Sequence, residues 1–163
     1  MEDKRITKTK RALKSALLEL LTTQAFDVIS ITELCKIANV SRITFYTHYK
    51  DKFALLDDIF NDMLIIGKEG YHRRQEENNP ENNLTQGYLN VLDSILSLYY
   101  ERYDFFQHVV PETNPYLAFR FYRILLDTVE SHTDKLKASY SLKYSARQIA
   151  GFICFGLFGF ISE

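Results

Sequence analysis

The stretch SITELCKIANVSRITFYTHYKDK, residues 30–52, decides the fold of this 163-residue chain. Ser30 followed three positions later by Glu33 is a capping box, which starts a helix by pairing its free backbone N–H groups. Asn39 tolerates the left-handed backbone that a sharp turn between helices requires. Ser41 then caps a second run. Two short helices joined by a tight turn are typical of a helix-turn-helix, whose second helix enters the DNA major groove.

The second run divides into an inner and an outer face. The pattern predicts that Ile37, Val40, Phe45 and Tyr49 face inward. The outer face then carries Arg42, Ile43, Thr44, Tyr46, Thr47 and His48. Arginine matches the two acceptors on a guanine edge, and threonine can meet a polar base edge or a thymine methyl group. The alternative is an ordinary solvated polar face, which the complete motif makes the weaker interpretation.

The run from Leu34 to Lys52 resembles the signature of the TetR family of transcriptional regulators. In that signature a small residue, an Ala-Gly-Val-Ser-like turn, Thr-Phe-Tyr, an aromatic or His, and a Lys follow in order. The chain departs from it at Asn39, where glycine is usual, at Cys35, where alanine is usual, and at Phe53, where an acidic residue is common. The first two departures are physically mild.

The resemblance implies which residues contact DNA and how the protein assembles. Base-side positions are Arg42, Ile43, Thr44 and Thr47; phosphate-side positions are Tyr46, His48 and Lys52; the supporting helix and the cap add Thr32 and Ser41. The expected partner is a double-stranded, near-palindromic operator bound by a homodimer, with the last helices forming the dimer interface. The two recognition helices should then lie about 34–36 Å apart.

Charge is distributed unevenly along the chain. Residues 1–52 hold 10 Lys+Arg against 6 Asp+Glu, a balance of +4, whereas residues 53–163 hold 10 against 15, a balance of −5. A basic N-terminal part beside an acidic remainder is expected if only the first part meets phosphate. We therefore predict a DNA-binding domain over residues 1–52 and an effector-binding and dimerisation domain over residues 53–163.

Compartment and membrane signals are consistent with a cytoplasmic protein. The two cysteines, Cys35 and Cys154, fit neither a disulfide framework nor a metal cluster. The basic N-terminus is not followed by the apolar core of a signal peptide. The most apolar run, residues 149–161, is shorter than the roughly 20 residues that span a bilayer. No membrane partner is expected.

Hydrophobic periodicity predicts an all-α fold. Leu13, Ala16 and Leu17 recur at helical spacing in a first helix over residues 4–23. Further helices are predicted over residues 52–67, 84–103, 105–110 and 116–136, and from residue 144 to the chain end, with residues 71–83 as a linker. The inner faces are predicted to carry Tyr88, Leu92, Ile95, Leu96, Tyr99 and Tyr103 in one long helix and Phe119, Tyr122, Leu125, Leu126 and Val129 in another. Whether a further C-terminal helix follows is left open.

Aromatic and basic side chains of the second domain are the predicted effector-binding residues. They are Tyr99, Tyr103, Phe106, His108, Phe119, Arg120, Tyr122 and Arg123. An arginine among them could pair with an anionic ligand, and aromatic side chains commonly line ligand pockets. The alternative is that these side chains belong to the core.

Catalytic and metal chemistry find no support in the sequence. Asp104, His108 and Glu112 are spaced by four, but Pro111 interrupts a continuous helix there, so we predict no metal site. There is no glycine-rich phosphate loop and no HExxH motif. No cofactor is expected.

The sequence therefore predicts a homodimeric transcriptional regulator, a repressor that is released from its operator by an effector. An alternative is a regulator or co-activator whose second domain binds a partner protein instead of a small molecule. An enzyme is excluded as a working interpretation.

Overall fold

The computed structural model describes residues 4–136 and 141–161, and every regular element in these ranges is helical. The elements in order are α1 (Lys4–Leu21), a 3₁₀ turn (Phe26–Val28), α2 (Ile31–Ile37), α3 (Arg42–His48), α4 (Lys52–Asn78), α5 (Leu84–Glu101), α6 (Tyr103–Phe106), α7 (Pro115–Leu136) and α8 (Ala146–Ile161). The predicted all-α class is confirmed. The predicted end of the last helix, residues 162–163, lies outside the described residues.

The first three helices form where local side-chain chemistry predicts them. Ser30 and Glu33 make both hydrogen bonds of the capping box at the start of α2. Asn39 has φ 52°, which is the left-handed turn conformation. The Ser41 and Asp51 side chains accept backbone N–H bonds at the starts of α3 and α4. The starts of α2, α3 and α4 are therefore each fixed by a local cap.

One cluster of buried apolar side chains runs from the N-terminal helices into the rest of the molecule. It begins with Leu13 and Leu17 of α1, includes Phe45 of α3 and Phe60 of α4, and ends with Cys154 of α8. The core is thus continuous across residue 52. The division of the chain at that residue stays a prediction.

The predicted linker over residues 71–83 is wrong for most of its length, because α4 continues to Asn78. The polar residues in this part of α4 pair with α5. Arg74 donates to Ser97 Oγ at 2.7 Å, and the fully buried Asn90 side chain donates to Gln75 Oε1 at 2.6 Å and to Asn78 Oδ1 at 2.8 Å. A buried amide retains its hydrogen bonds this way, and the pairing fixes the register of α4 against α5.

Two predicted inner faces are displaced. The buried stripe of α5 consists of Gly87, Asn90, Val91 and Ser94 rather than the predicted aromatic and leucine positions. On α7 Leu125, Leu126 and Val129 are buried as predicted, but Phe119 is 59% exposed. In α5 the small and amide residues face α4 because they permit the close, hydrogen-bonded contact that the larger side chains would block.

Smaller boundary differences follow from caps that the pattern did not identify. The predicted helix over residues 105–110 is the single turn α6, and Asp104 lies inside it. The last helix begins at Ala146 because Ser145 and Gln148 form a capping box.

Ile37, predicted to face inward, is 37% exposed. No described helix is long and apolar enough to span a lipid bilayer.

Candidate nucleic-acid interface and internal cavity

Helix α3 presents most of the predicted base-side residues to solvent. Ile43 is 82% exposed and Tyr46 is 48% exposed, and Arg42 and Thr47 are also exposed. Thr44 and His48 are half-buried at the edges of this face. Thr32 and Ser41 are exposed nearby, at the starts of α2 and α3. The structure therefore brings the predicted residues to one projecting surface.

Three hydroxyls of this surface are engaged in local hydrogen bonds. Ser41 Oγ accepts the Thr44 N–H at 3.0 Å and lies 2.8 Å from Thr44 Oγ1. Thr47 Oγ1 donates to the Ile43 carbonyl at 2.9 Å. Each hydroxyl keeps a remaining acceptor or donor capacity, because a hydroxyl both donates and accepts. The bonds fix the side chains in defined rotamers on the outer face.

Buried anchors hold α3 against the rest of the domain. Phe45 is fully buried, and its ring meets the Tyr46 ring edge-on at 5.5 Å. At the end of α3, Tyr49 donates from its hydroxyl to Asp58 Oδ2 at 2.6 Å, and Lys14 Nζ lies 3.1 Å from the same carboxylate oxygen. Burial alone would raise the pKa of Asp58, but the hydrogen bonds from Tyr49 and Lys14 outweigh it and lower the pKa. This cluster connects α1, α3 and α4.

Lys52 is engaged inside the molecule. Its Nζ donates to the carbonyl oxygens of Phe26, Asp27 and Ile29 at 2.9, 2.7 and 2.8 Å. The ammonium group also lies 4.9 Å from the Phe26 ring centroid. Burial lowers the pKa of Lys52, with Asp27 and Glu33 opposing the shift. An ammonium has three donors, so the predicted phosphate contact of Lys52 has no donor left in this arrangement. Its observed role is to hold the 3₁₀ turn against α4.

The first half of α1 adds positive charge on the outside. Lys4, Arg5, Lys8 and Arg11 are exposed, and Lys14 is used in the cluster with Asp58. Lys and Arg side chains on a helix face supply the sequence-independent attraction to DNA phosphates. The charge asymmetry of the sequence is thus displayed on the same domain as α3.

An open-sided cavity of about 500 Å³ lies between α4, α5 and α7, with α6 at one end. Its lining consists of Phe60, Met63, Leu64, Gly67, Lys68, Tyr71, His72, Val91, Ser94, Ile95, Leu98, Phe106, Phe121, Ile124, Leu125, Asp127, Thr128, Ser131, His132 and Lys135. The volume lies within the range of about 300–1,000 Å³ usual for small-molecule sites. Sequence reasoning missed most of these residues, although Lys68, Tyr71 and His72 have the three- and four-residue spacing of one helix face.

Only Phe106 of the predicted effector-binding residues lines this cavity. Phe119 and Tyr103 are exposed, Arg120 pairs with Asp57 at 2.5 Å, and Tyr122 meets the Phe155 ring. The remaining predicted positions that lie outside the lining are Tyr99, His108 and Arg123. The predicted effector-binding set stays a prediction, and the basic groups that line this cavity are lysine and histidine rather than arginine.

His132 is the most unusual polar side chain of the cavity. Its ring lies edge-on to Tyr71 and to Tyr88, at 5.3 and 5.4 Å, and Nδ1 is 3.4 Å from the Tyr71 hydroxyl. Its Nε2 is buried and has no hydrogen-bond partner. Burial, and then the charge of Lys135, lower the pKa of His132. These surroundings therefore favour the neutral over the charged imidazole.

Helices α7 and α8 both expose large apolar side chains. Phe152 and Phe155 of α8 are 84% and 70% exposed, and Phe119 of α7 is 59% exposed. A Cβ added to Gly156 would meet no atom within 4 Å. Arg147 holds the two helices together through Glu130, at 2.6 Å.

In the described part of the chain no group of three or more His, Cys, Asp or Glu is placed to bind a metal ion.

The sequence was compared with known proteins. No protein-family model matches it. Over 58 residues it is 40% identical to the uncharacterized HTH-type transcriptional regulator YxbF of Bacillus subtilis (strain 168). This match covers 36% of the chain and 14% of the curated relative, so the chain spans only a small part of that protein's length.

Two solved structures match the fold to different degrees. The dihydroxyacetone kinase operon activator DhaS aligns with a TM-score of 0.52 and 23% identity, over 90% of this chain and 80% of its own. A TetR transcriptional regulator from Streptococcus agalactiae 2603V aligns over 94% and 96% at 20% identity, but its TM-score of 0.37 is too low to carry an argument. YxbF and DhaS are both named as regulators of gene expression and not as enzymes. The chain therefore has the helical fold of DhaS, and its local similarity to YxbF agrees with the resemblance to the TetR family of transcriptional regulators that the sequence shows.

Proposed function

We propose that this protein is a DNA-binding transcriptional regulator that acts as a homodimer and is released from its operator by an effector. The observation that carries the proposal is α3, a short helix with exposed Arg42, Ile43 and Tyr46 that is anchored from behind by the fully buried Phe45. A helix is useful for reading DNA only if its inner side is fixed while its outer side is free for the major groove.

The roles of the interface residues divide by chemistry. Arg42, Ile43, Thr44 and Thr47 read base edges, and Tyr46 and His48 contact phosphates, with Thr32 and Ser41 contributing from the starts of α2 and α3. Lys52 acts indirectly, because its ammonium group holds the 3₁₀ turn in place. Base contacts supply sequence preference, while phosphate contacts supply affinity for any sequence.

The exposed apolar surface of α7 and α8 supports a homodimer. Apolar patches of this kind on soluble domains mark interaction sites. The glycines Gly151, Gly156 and Gly159 leave open space above α8, so a second helix can approach closely. A twofold axis through this surface gives the two copies of α3 that a near-palindromic operator needs.

The cavity supports a small-molecule effector over a partner protein. Its helix α4 begins directly after α3, so a ligand that moves α4 changes the separation of the two recognition helices. A ligand that separates them releases the operator, which is the action of an inducible repressor. DhaS is named an operon activator, so activation in place of repression has a precedent among proteins of this fold. The alternative function is an activator whose body binds a partner protein.

The test begins with genome-wide mapping of bound sites and continues with the enriched operator in gel-shift titrations. Arg42→Ala should alter preference at one base pair per half-site, costing about 1–3 kcal/mol there. Tyr46→Phe should weaken binding to all operator variants alike. Arg73→Ala, on the exposed side of α4, is the matched control and should bind as the parent does. Failure to enrich any DNA, or equal loss at every operator variant for Arg42→Ala, would contradict the proposal.

A further inference from the structure

The register of α4 against α7 shows that the cavity has two different ends. Phe60 stacks on Phe121 with ring centroids 6.4 Å apart, and Tyr71 meets His132 at 5.3 Å. Phe60 and Tyr71 are eleven residues apart on α4, and Phe121 and His132 are eleven residues apart on α7. The two helices therefore run in the same direction and stay in register. Eleven residues of helix rise about 16 Å. The cavity, which both levels line, therefore extends along the helices for about 16 Å.

The end near the DNA-binding domain is apolar. Phe60, Met63 and Leu64 line it from α4, and Phe121 and Leu125 line it from α7. Helix α5 pairs with α4 in the opposite direction and places Leu98 beside Gly67, in the middle of the cavity. Phe106 of α6 closes the apolar end against Phe121. Such an end accepts a hydrocarbon group and offers it no hydrogen bond.

The far end is polar and positively charged. Lys68 of α4 and Lys135 of α7 line it, with Thr128 and Ser131 between them on α7. The acidic residue of the lining, Asp127, has its carboxylate 3.3 Å from Arg147 of α8. Among the described residues no acidic side chain lies within ion-pair distance of either lysine.

We propose that the cavity binds a single-chain amphipathic anion. The hydrocarbon chain lies between the Phe60–Phe121 and Tyr71–His132 levels, and an anionic carboxylate or phosphate head lies between Lys68 and Lys135. This inference rests on the proposed function in one respect, namely that the ligand acts as the effector. Its chemical class follows from the lining alone.

The first experiment measures ligand binding to the DNA-free protein by calorimetry and by thermal unfolding, below the micelle concentration of each probe. Decanoate and decyl phosphate are the anionic probes, and decanol and decylamine are the neutral and cationic ones. At saturation at least one anion should raise Tm by about 5 °C or more. That anion should bind about tenfold more tightly than decanol or decylamine, and the ratio of the two anions identifies the head group. Equal or tighter binding of decanol or decylamine, or no effect of either anion, overturns the proposal.

The second experiment locates the head group. Lys68→Gln and Lys135→Gln remove a charge at the far end and keep a polar side chain of similar length. Each should weaken the anion about three- to tenfold and leave decanol binding unchanged. Lys143→Gln, outside the lining, is the matched control. Unchanged anion affinity in both cavity variants, or an equal loss for decanol, overturns the assignment of the head to these lysines.

The two proposals fail in different ways. If the protein binds no operator but binds the anion with the expected lysine dependence, only the proposed function is wrong. If it binds an operator but neither anion, only this inference is wrong. An anion that binds in the cavity and also lowers operator affinity by tenfold or more supports both.

Discussion

The two ends of the helical body are packed in opposite ways. At the junction with the DNA-binding domain, the Phe26 ring lies 5.4 Å from Phe53 and 5.6 Å from Tyr116, and the Phe26 N–H donates to Asn114 Oδ1 at 2.7 Å. At the far end lies a cavity of about 500 Å³, where His132 Nε2 is buried without a partner. The junction is thus closely packed and hydrogen-bonded, whereas the far end has open space and an unpaired buried nitrogen. Nε2 of His108, in the segment between α6 and α7, is a second buried nitrogen without a partner.

This difference assigns each end a task. A close-packed, hydrogen-bonded junction transmits displacement, because packed interiors have few voids in which movement can be absorbed. Side chains that line a cavity lack van der Waals partners on one side, and a bound ligand can supply those contacts. The same two helices serve both ends, since α4 begins at Lys52 and α7 begins at Pro115, and both extend to the cavity. Under the proposed function, α4 and α7 are the elements that carry movement from the cavity to the 3₁₀ turn and α3.

The largest expected effect comes from breaking the junction at Lys52. Lys52→Met keeps the apolar stem and removes the ammonium group, so three carbonyl oxygens lose their donor. The free energy of unfolding should fall by about 3 kcal/mol, since hydrogen bonds to charged groups are each worth about 1.5–3 kcal/mol and this site is partly solvated. Urea denaturation followed by circular dichroism measures the change.

Lys50→Met is the matched control for Lys52→Met. Lys50 is exposed two residues earlier, and a surface substitution of this kind should stay within about 0.5 kcal/mol of the parent. If Lys52→Met and Lys50→Met are equally stable, Lys52 does not hold the junction. Its ammonium group would then again be a candidate for a phosphate contact.

A somewhat smaller effect is expected at Asn114. Asn114→Ala leaves the buried Phe26 N–H without an acceptor, which should cost about 1–3 kcal/mol of unfolding free energy. Asn61→Ala, an exposed position within α4, is the control and should not destabilise the protein. Because Asn114 lies at the junction and not in the cavity lining, its substitution should weaken operator binding more than ligand binding. A larger loss of ligand binding would contradict the separation of tasks.

Local interactions explain why the DNA-binding part was predictable from sequence. The Ser30–Glu33 capping box, the left-handed Asn39 and the Ser41 cap each involve residues within four positions of one another. The burial of Phe45 follows from helical periodicity. The sequence predicted that a helix starts at Lys52, but it did not predict what the Lys52 side chain binds. Its three carbonyl acceptors lie 23–26 residues earlier in the chain, and no local pattern indicates them.

Long-range pairing explains why the cavity was not predictable. The end of α4 was expected near Gly67, but Asn90 pairs with Gln75 and Asn78 across the α4–α5 contact and stabilises the longer helix. The aromatic positions chosen for a pocket included Phe119 and Tyr122, which face the α7–α8 surface instead. Which aromatic stripe faces a cavity and which faces a partner depends on helix register, and the sequence contains no local signal for it.

The smallest effect is expected at the far end, from His132→Phe. The substitution removes the unpartnered Nε2 and keeps an aromatic ring between Tyr71 and Tyr88, so the unfolding free energy at pH 7.5 should change by less than about 1 kcal/mol, in contrast to the junction variants.

The pH dependence of the unfolding free energy should change more in His132→Phe than its value at pH 7.5. Because the pKa of His132 is lowered in the folded protein, only the unfolded chain takes up this proton as the pH falls below about 6.5, so acidification destabilises the parent. His108, whose pKa burial also lowers, contributes in the same direction and remains in the variant. Urea denaturation at pH 7.5 and pH 5.5, at one protein concentration, should therefore show a smaller loss of stability for His132→Phe than for the parent, and an equal loss would mean that the far end is as well satisfied as the junction.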